Sequence, residues 1–216
     1  MILLLVCKIQ DASLSSQCII NISLQENKVF IFSFFVLFMP KYEPLDPDAE
    51  VLGSSINSTI NSFPKKGRSA AKQIYARHGI DNPTDDKWYP HRLNLAAMST
   101  LYDKFGPSML HKIGRDKPKN TAWPPDIETA TDAVMSINDA YQRNHRNGEV
   151  GGYHAEQLGQ SRIKLVCDNP YPCPFDEGLI EGVAFEFATG TAIINEVGDE
   201  CREESGERCT YEVNLY

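Results

Sequence analysis

Arg162-Ile-Lys-Leu-Val-Cys-Asp168, then Asn169-Pro-Tyr-Pro172, then Cys173-Pro-Phe-Asp-Glu-Gly-Leu-Ile-Glu-Gly-Val-Ala-Phe-Glu-Phe187 follow one another in the last third of the chain. In the first piece Ile163, Leu165 and Cys167 alternate with Arg162, Lys164 and Val166, the period of a partly buried strand. The second piece is a turn. In the third, Phe175, Leu179, Ile180, Val183, Ala184 and Phe187 recur at helical spacing, and Gly190 ends the helix. Ala192-Ile-Ile194 then reads as a strand, and Thr210 to Leu215 alternates again as the closing one. A strand-helix-strand-strand end is the β half of an α+β fold.

Upstream the pattern is helical. Val51, Leu52, Ile56, Ile60 and Phe63 give one apolar face that stops at Pro64, and Ala70 to His78 give a second that stops at Gly79. Trp88 and Pro90 open a third, with Leu93, Ala97, Leu101 and Phe105 on one face and Gly106-Pro107 closing it. Met109, Leu110 and Ile113 suggest a short fourth. Pro124-Pro125-Asp126 is a helix start, followed by Ile127, Ala130, Val134, Ile137 and Tyr141. Asn147-Gly148 and Gly151-Gly152 break the chain before the period changes. The expected architecture is therefore an N-terminal helical layer packed on an antiparallel sheet made largely by the C-terminal third.

The domain is expected over residues 40–216. Residues 1–38 hold no proline or glycine and end in a run of eleven residues, Val29 to Met39, that is too short to cross a bilayer as a helix. They lack the basic flank and cleavage site of a secretory signal. The preferred reading is a non-domain leader ahead of a true start at Met39, the alternative a hydrophobic extension that lies on a membrane or packs on the domain. The expected location is the cytoplasm.

The 216-residue chain carries a net charge of -8, which argues against nucleic acid as partner. From Asp176 onward eleven acids face only Arg202 and Arg208. That acidic excess surrounds the last two of the four cysteines that fall in the final 50 residues, Cys167, Cys173, Cys201 and Cys209. In a reducing compartment disulfides are disfavoured, so thiolates held close together need a metal or a proton, and zinc accepts three sulfurs with one carboxylate or imidazole. The plain alternative is four small buried hydrophobes.

Catalytic signatures are missing: there is no Gly-x-Ser-x-Gly elbow, phosphate loop, dinucleotide fingerprint or His-Glu-x-x-His. Asp85-Asp86 and Glu203-Glu204 read as solvated acids, and His145-Arg146 as a helix-end pair facing the dipole. No catalytic residue is assigned, and the chain is read as a binding module rather than an enzyme.

The segment Cys173-Pro-Phe175-Asp-Glu-Gly178-Leu-Ile-Glu-Gly182, with Glu196, Cys201, Gly206, Cys209 and Tyr211-Glu-Val213, resembles the C-terminal end of the 4-vinyl reductase domain family. Its superfamily also holds haem nitric-oxide sensors, phenol-sensing domains of bacterial activators and Golgi-transport scaffold subunits. The resemblance covers Val166 to Val213; residues 43–146 match only in order and size. It implies a sensor-type domain with a mostly apolar pocket between the helices at 90–141 and the sheet, trimmed by His91, Tyr102 and Tyr141. The ligand it implies is small and apolar or aromatic.

Carried over by motif, the zinc ligands of the phenol-sensing relatives fall on Cys173, Glu196, Cys201 and Cys209. Glu196 stands five before Cys201 where the family has three, so Glu200 or Cys167 could take its place. The resemblance also allows a homodimer, as in the scaffold relatives, an enzyme acting on a tetrapyrrole or small heterocycle, and a separate signalling partner. Haem is set aside, because the Tyr-x-Ser-x-Arg triplet of the haem sensors is missing. His91 and His111 are the histidines with an enclosed setting. Trp88, Tyr102, Phe105, Met98, Met109 and Trp123 read as core.

Overall fold

The computed structural model describes residues 18–20, 32–34, 42–120, 127–187, 190–204 and 206–216. The chain divides into two units, Met1–Pro40 and Lys41–Tyr216. In the first, β1 (Cys18–Ile20) pairs antiparallel with β2 (Phe32–Phe34). The rest of the leader, Trp123 and the helix start read at Pro124-Pro125-Asp126 lie outside the described residues.

The second unit begins with β3 (Glu50–Leu52), α1 (Gly53–Asn61), α2 (Lys65–Arg77), β4 (Trp88–Pro90), α3 (His91–Phe105) and α4 (Pro107–Asp116). It continues with α5 (Ala130–Met135), α6 (Ile137–Arg143), β5 (His145–Arg146), β6 (Gly152–Gln157), β7 (Arg162–Asp168), α7 (Cys173–Phe187), β8 (Ala192–Val197) and β9 (Cys209–Leu215). Short 3-10 turns stand at Pro118–Asn120 and Arg202–Glu204. The main sheet is antiparallel throughout in the order β6-β7-β9-β8, and a small antiparallel sheet has the order β4-β3-β5. The fold is α+β, with the helical layer first and the strand-helix-strand-strand end last.

Alternation sets the register of the main sheet. On β7, Ile163, Leu165 and Cys167 are buried and stand opposite Val213, Tyr211 and Cys209 of β9, which are buried as well. This inward row packs on α7. The outer face of α7 meets α4 at unusually close range. A Cβ on Gly178 would lie 2.0 Å from the His111 carbonyl oxygen, and one on Gly182 2.3 Å from that of Arg115. Gly114 answers from α4, where a Cβ would lie 2.0 Å from the Phe175 carbonyl oxygen. The glycines let two helix backbones touch, as small residues do wherever helices pack without intervening side chains.

Three local differences from the sequence expectation have physical causes. Val51 and Leu52 belong to β3 rather than to the first helix, because their backbone pairs with Trp88–Tyr89. The helix expected over 127–141 is two. Thr129 caps α5 by accepting from the Asp132 N–H while the Asp132 carboxylate accepts from the Thr129 N–H, and Ser136 ends it two residues after Val134. Finally β6, Gly-Tyr-His-Ala-Glu-Gln, has too weak an alternation to be read locally and owes its form to pairing with β7.

Candidate metal centre and ligand cavity

Cys173 opens α7 and Cys209 opens β9, while Cys201 precedes the 3-10 turn that joins β8 to β9. Their sulfurs converge: Sγ–Sγ distances are 2.9 Å for Cys173–Cys209 and 3.7 Å for both Cys201–Cys173 and Cys201–Cys209. All are longer than a disulfide of about 2.0 Å. The two longer ones match the edge of about 3.8 Å that tetrahedral Zn–S bonds of ~2.3 Å define. Hydrogen bonding from Cys209 and the nearby Arg202 guanidinium draw the Cys173 thiol down to about 6, against the effect of burial. Its partner Cys209 is pushed up, chiefly by the same bond. Burial raises the Cys201 thiol, helped by bonds to Cys173 and Glu196.

The remaining residues of the expected ligand set sit as follows. Glu196 is exposed on β8 and reaches the Cys201 thiol, but it is outside the group of ligand atoms that lie within 4.8 Å of one another, which is Cys173, Cys201 and Cys209. Glu200 accepts from Arg208 at 3.2 Å. Cys167 is fully buried beside Cys209 in the sheet register, and burial holds its thiol well above the ordinary range.

Polar anchors fix the cysteine loop. The Arg202 guanidinium pairs with the Asp176 carboxylate, donates to the carbonyls of Cys167 (2.8 Å) and Asn169 (2.6 Å), and its backbone N–H points at Cys209 Sγ (3.5 Å). Asp176 is fully buried and also accepts from Tyr153 and Asn169. Glu203 accepts from Tyr42 at 2.7 Å and from Tyr102 at 3.0 Å. Sequence reasoning counted Asp176, Arg202 and Glu203 only as charges. One signal was available: Asp176 stands four before Ile180 and seven before Val183, on the buried stripe of the helix.

A cavity of about 70 Å³ lies between α1, α6 and α7. Ser54, Ser55 and Ser58 of α1 face Ile137, Ala140 and Tyr141 of α6, and Phe175 and Leu179 of α7, Lys117 and His145 are among the other lining residues, with Asn120, Asn144, Tyr153 and Tyr171. Of the three pocket residues named from the sequence, Tyr141 lines this cavity. Tyr102 is bonded to Glu203, and His91 is fully buried in the core, its ring 4.9 Å from that of His145 and 5.2 Å from that of Tyr171.

The hydrogen bonds behind the cavity have a definite sense. His145 Nδ1 meets the Tyr141 carbonyl at 2.8 Å, so it carries the proton, and Nε2 accepts from the Tyr171 hydroxyl at 2.9 Å. Asn94 donates to the Tyr171 oxygen and accepts from Tyr75. Burial lowers His145 to about 4, keeping it neutral. Burial, with His145 alongside, also holds His91 well below the usual imidazole range, and neither of its ring nitrogens has a hydrogen-bond partner among the described residues. His111 is half-buried, paired with Glu181 at 3.1 Å.

No family model and no curated protein matches the sequence. Solved structures do. An H-NOX protein from S. oneidensis in the Fe(II)NO ligation state is 15% identical, with 76% of this chain and 99% of that one covered at a TM-score of 0.58. The chain shares the H-NOX fold. A double mutant of Tt H-NOX superposes with a TM-score of 0.59 at 13% identity, covering 76% of this chain and 94% of the other. A structure probing haem distortion in the H-NOX family gives 0.56 at 15% identity, covering 76% and 92%.

These comparisons correct one expectation. Haem was set aside for want of the Tyr-x-Ser-x-Arg triplet, yet H-NOX structures described by their haem and its iron carry this fold. A short motif is one local way to grip a cofactor, whereas the chamber that receives it belongs to the whole fold, so the missing triplet does not dismiss haem. Of the histidines that bear on it here, His91 is the buried imidazole with unpartnered nitrogens.

Proposed function

We propose that residues 40–216 form a small-molecule-binding domain of the sensor type, related to the 4-vinyl reductase branch, with a structural zinc site that closes its C-terminal end. The ligand enters the cavity between α1, α6 and α7. The observation that carries this reading is that cavity itself: a space open on one side, walled by apolar side chains together with serines, a lysine and a neutral histidine, inside an H-NOX-like fold. Ligand sites of proteins are typically preformed spaces with a few placed polar groups. An effect on the cell would pass through a separate signalling partner.

Cys173, Cys201 and Cys209 supply three thiolates to the zinc, and Glu196, whose carboxylate acts on the Cys201 thiol from β8, is the fourth ligand. Bound zinc would neutralise thiolates that otherwise repel one another and cross-link α7 to the loop before β9. Arg202 positions the loop by its grip on Asp176, and its N–H at Cys209 supports the thiolate form. For haem, the gas-ligand cofactor of the H-NOX neighbours, His91 and His145 are the buried imidazoles on this side of the fold, and the cavity would have to widen to admit it.

Native mass spectrometry with metal analysis tests the reading. One zinc per chain, lost in the Cys201→Ser variant, supports the site; well below one equivalent in protein purified without chelator refutes it. A co-purifying small molecule, or a Soret band on haem addition that is lost in His91→Ala, supports the sensor domain. An empty protein that takes up neither haem nor any small probe refutes it.

A further inference from the structure

The walls of the cavity differ in character. Ser54, Ser55 and Ser58 line up along one side of α1, while Ile137, Ala140, Phe175 and Leu179 are apolar. Lys117 stands at the polar side, 7% exposed, and donates to the Ser55 carbonyl at 2.5 Å, to Thr59 Oγ1 at 2.8 Å and, more weakly, to Ser55 Oγ at 3.3 Å, so its ammonium is held in place and a ligand oxygen would take over the long bond to Ser55 Oγ. No aspartate or glutamate lines the cavity among the described residues.

The tyrosines do not add free donors. Tyr141 donates to the Val150 carbonyl, Tyr153 to Asp176 and Tyr171 to His145. Ser58 is the exception: its hydroxyl is buried and has no hydrogen-bond partner among the described residues. A buried hydroxyl left so is costly, and a ligand oxygen would relieve that cost.

We propose that the cavity takes a short monocarboxylate, its carboxylate between the Lys117 ammonium and the hydroxyls of Ser55 and Ser58, its aliphatic end against Ile137, Ala140 and Leu179. This rests on the reading of the cavity as the ligand site and names the class of ligand. Charge follows from an anchored lysine with hydroxyl donors beside it and no acid among the described lining residues, in a partly desolvated setting where an anion's attraction is less screened than in water. Size follows from the volume: about 70 Å³ is below the ~150 Å³ of an engineered cavity that accepts benzene. The part of the ligand held inside therefore has only a few heavy atoms. The apolar wall asks for a hydrocarbon end rather than a second charged group. Burial lowers Lys117 to about 7, and a carboxylate beside it would favour the charged form.

Calorimetric titration of the full chain with propionate and with propionamide, a neutral molecule of the same shape, decides the matter. Propionate is expected to bind at least tenfold more tightly than propionamide. Lys117→Met should remove most of that preference and Ser58→Ala should weaken propionate several-fold; because the Ser58 hydroxyl has no partner, the second variant leaves the fold intact. Equal affinity for the two probes, or propionate binding unchanged in both variants, overturns the carboxylate assignment while the cavity stands as a ligand site. Failure of both probes to bind a folded, metal-loaded chain overturns the cavity reading as well.

Discussion

Replacing Arg202 by Met is expected to destabilise the domain by about 3–5 kcal/mol, the range for removing one partner of a buried ion pair. The structure sets the size. Asp176 is 0% exposed and Arg202 9%, so neither charge is solvated by water. Methionine has roughly the arginine stem's volume, so the change isolates the charge and the donors. The carboxylate would keep Tyr153 and Asn169, and the carbonyls of Cys167 and Asn169 would lose their donors. At 2–4 °C per kcal/mol for a domain of this size, Tm should fall by about 10 °C.

The loss should also depend on pH. Burial already raises the Asp176 carboxyl, against the pull of Arg202. Without the guanidinium the folded-state pKa rises further above the unfolded value, so the proton taken up by the fold stabilises it at low pH, and that contribution is lost as pH rises through the folded pKa. Urea denaturation of Arg202→Met followed by circular dichroism should show a larger deficit at pH 8 than at pH 5. Asp176→Asn in the same background should recover part of it. A deficit below about 1 kcal/mol, or one that is equal at both pH values, would refute the argument, since a surface pair is worth no more than that.

Other consequences can be read with the same denaturation assay. His145 is lowered to about 4 by burial, so its contribution is complete above pH 6.5 and is lost as pH falls toward 4, amounting to about 3 kcal/mol; a flat stability profile over that window would contradict the buried neutral imidazole. His91→Phe should be neutral or stabilising by up to about 1 kcal/mol, because two nitrogens without partners leave the core, and a loss above 1 kcal/mol would mean that the ring has a partner of its own. Gly178→Ala should destabilise by roughly 1–3 kcal/mol despite alanine's better helix propensity, since its Cβ would lie 2.0 Å from a backbone carbonyl that cannot rotate away. Unchanged stability would mean that α4 and α7 separate freely.

Period and punctuation by themselves determined the longer helices and the strand-helix-strand-strand end of the larger unit, but not the short strands β3 to β6 or the break between α5 and α6. The alternation in Arg162–Asp168 and Cys209–Leu215 and the helical spacing in α7 are local signals, strong because each element buries one face against a core. The cysteines of the loop were marked as a group by their chemistry, and their meeting within 4.8 Å needed only that β8 and β9 form a hairpin next to the start of α7.

Only the tertiary structure decided the rest, because those features are made by residues far apart in sequence. Arg202 finds Asp176 across 26 positions and Lys117 finds Ser55 across 62, distances over which no spacing rule acts. The Gly178–Gly182 repeat was visible as a motif, but its reason, the backbone of α4 lying against it, is a packing fact. The cavity likewise depends on which faces of α1, α6 and α7 fail to fill the space between them. Each helix shows in its own sequence which face is apolar, whereas the void left among three of them is a property of their mutual placement.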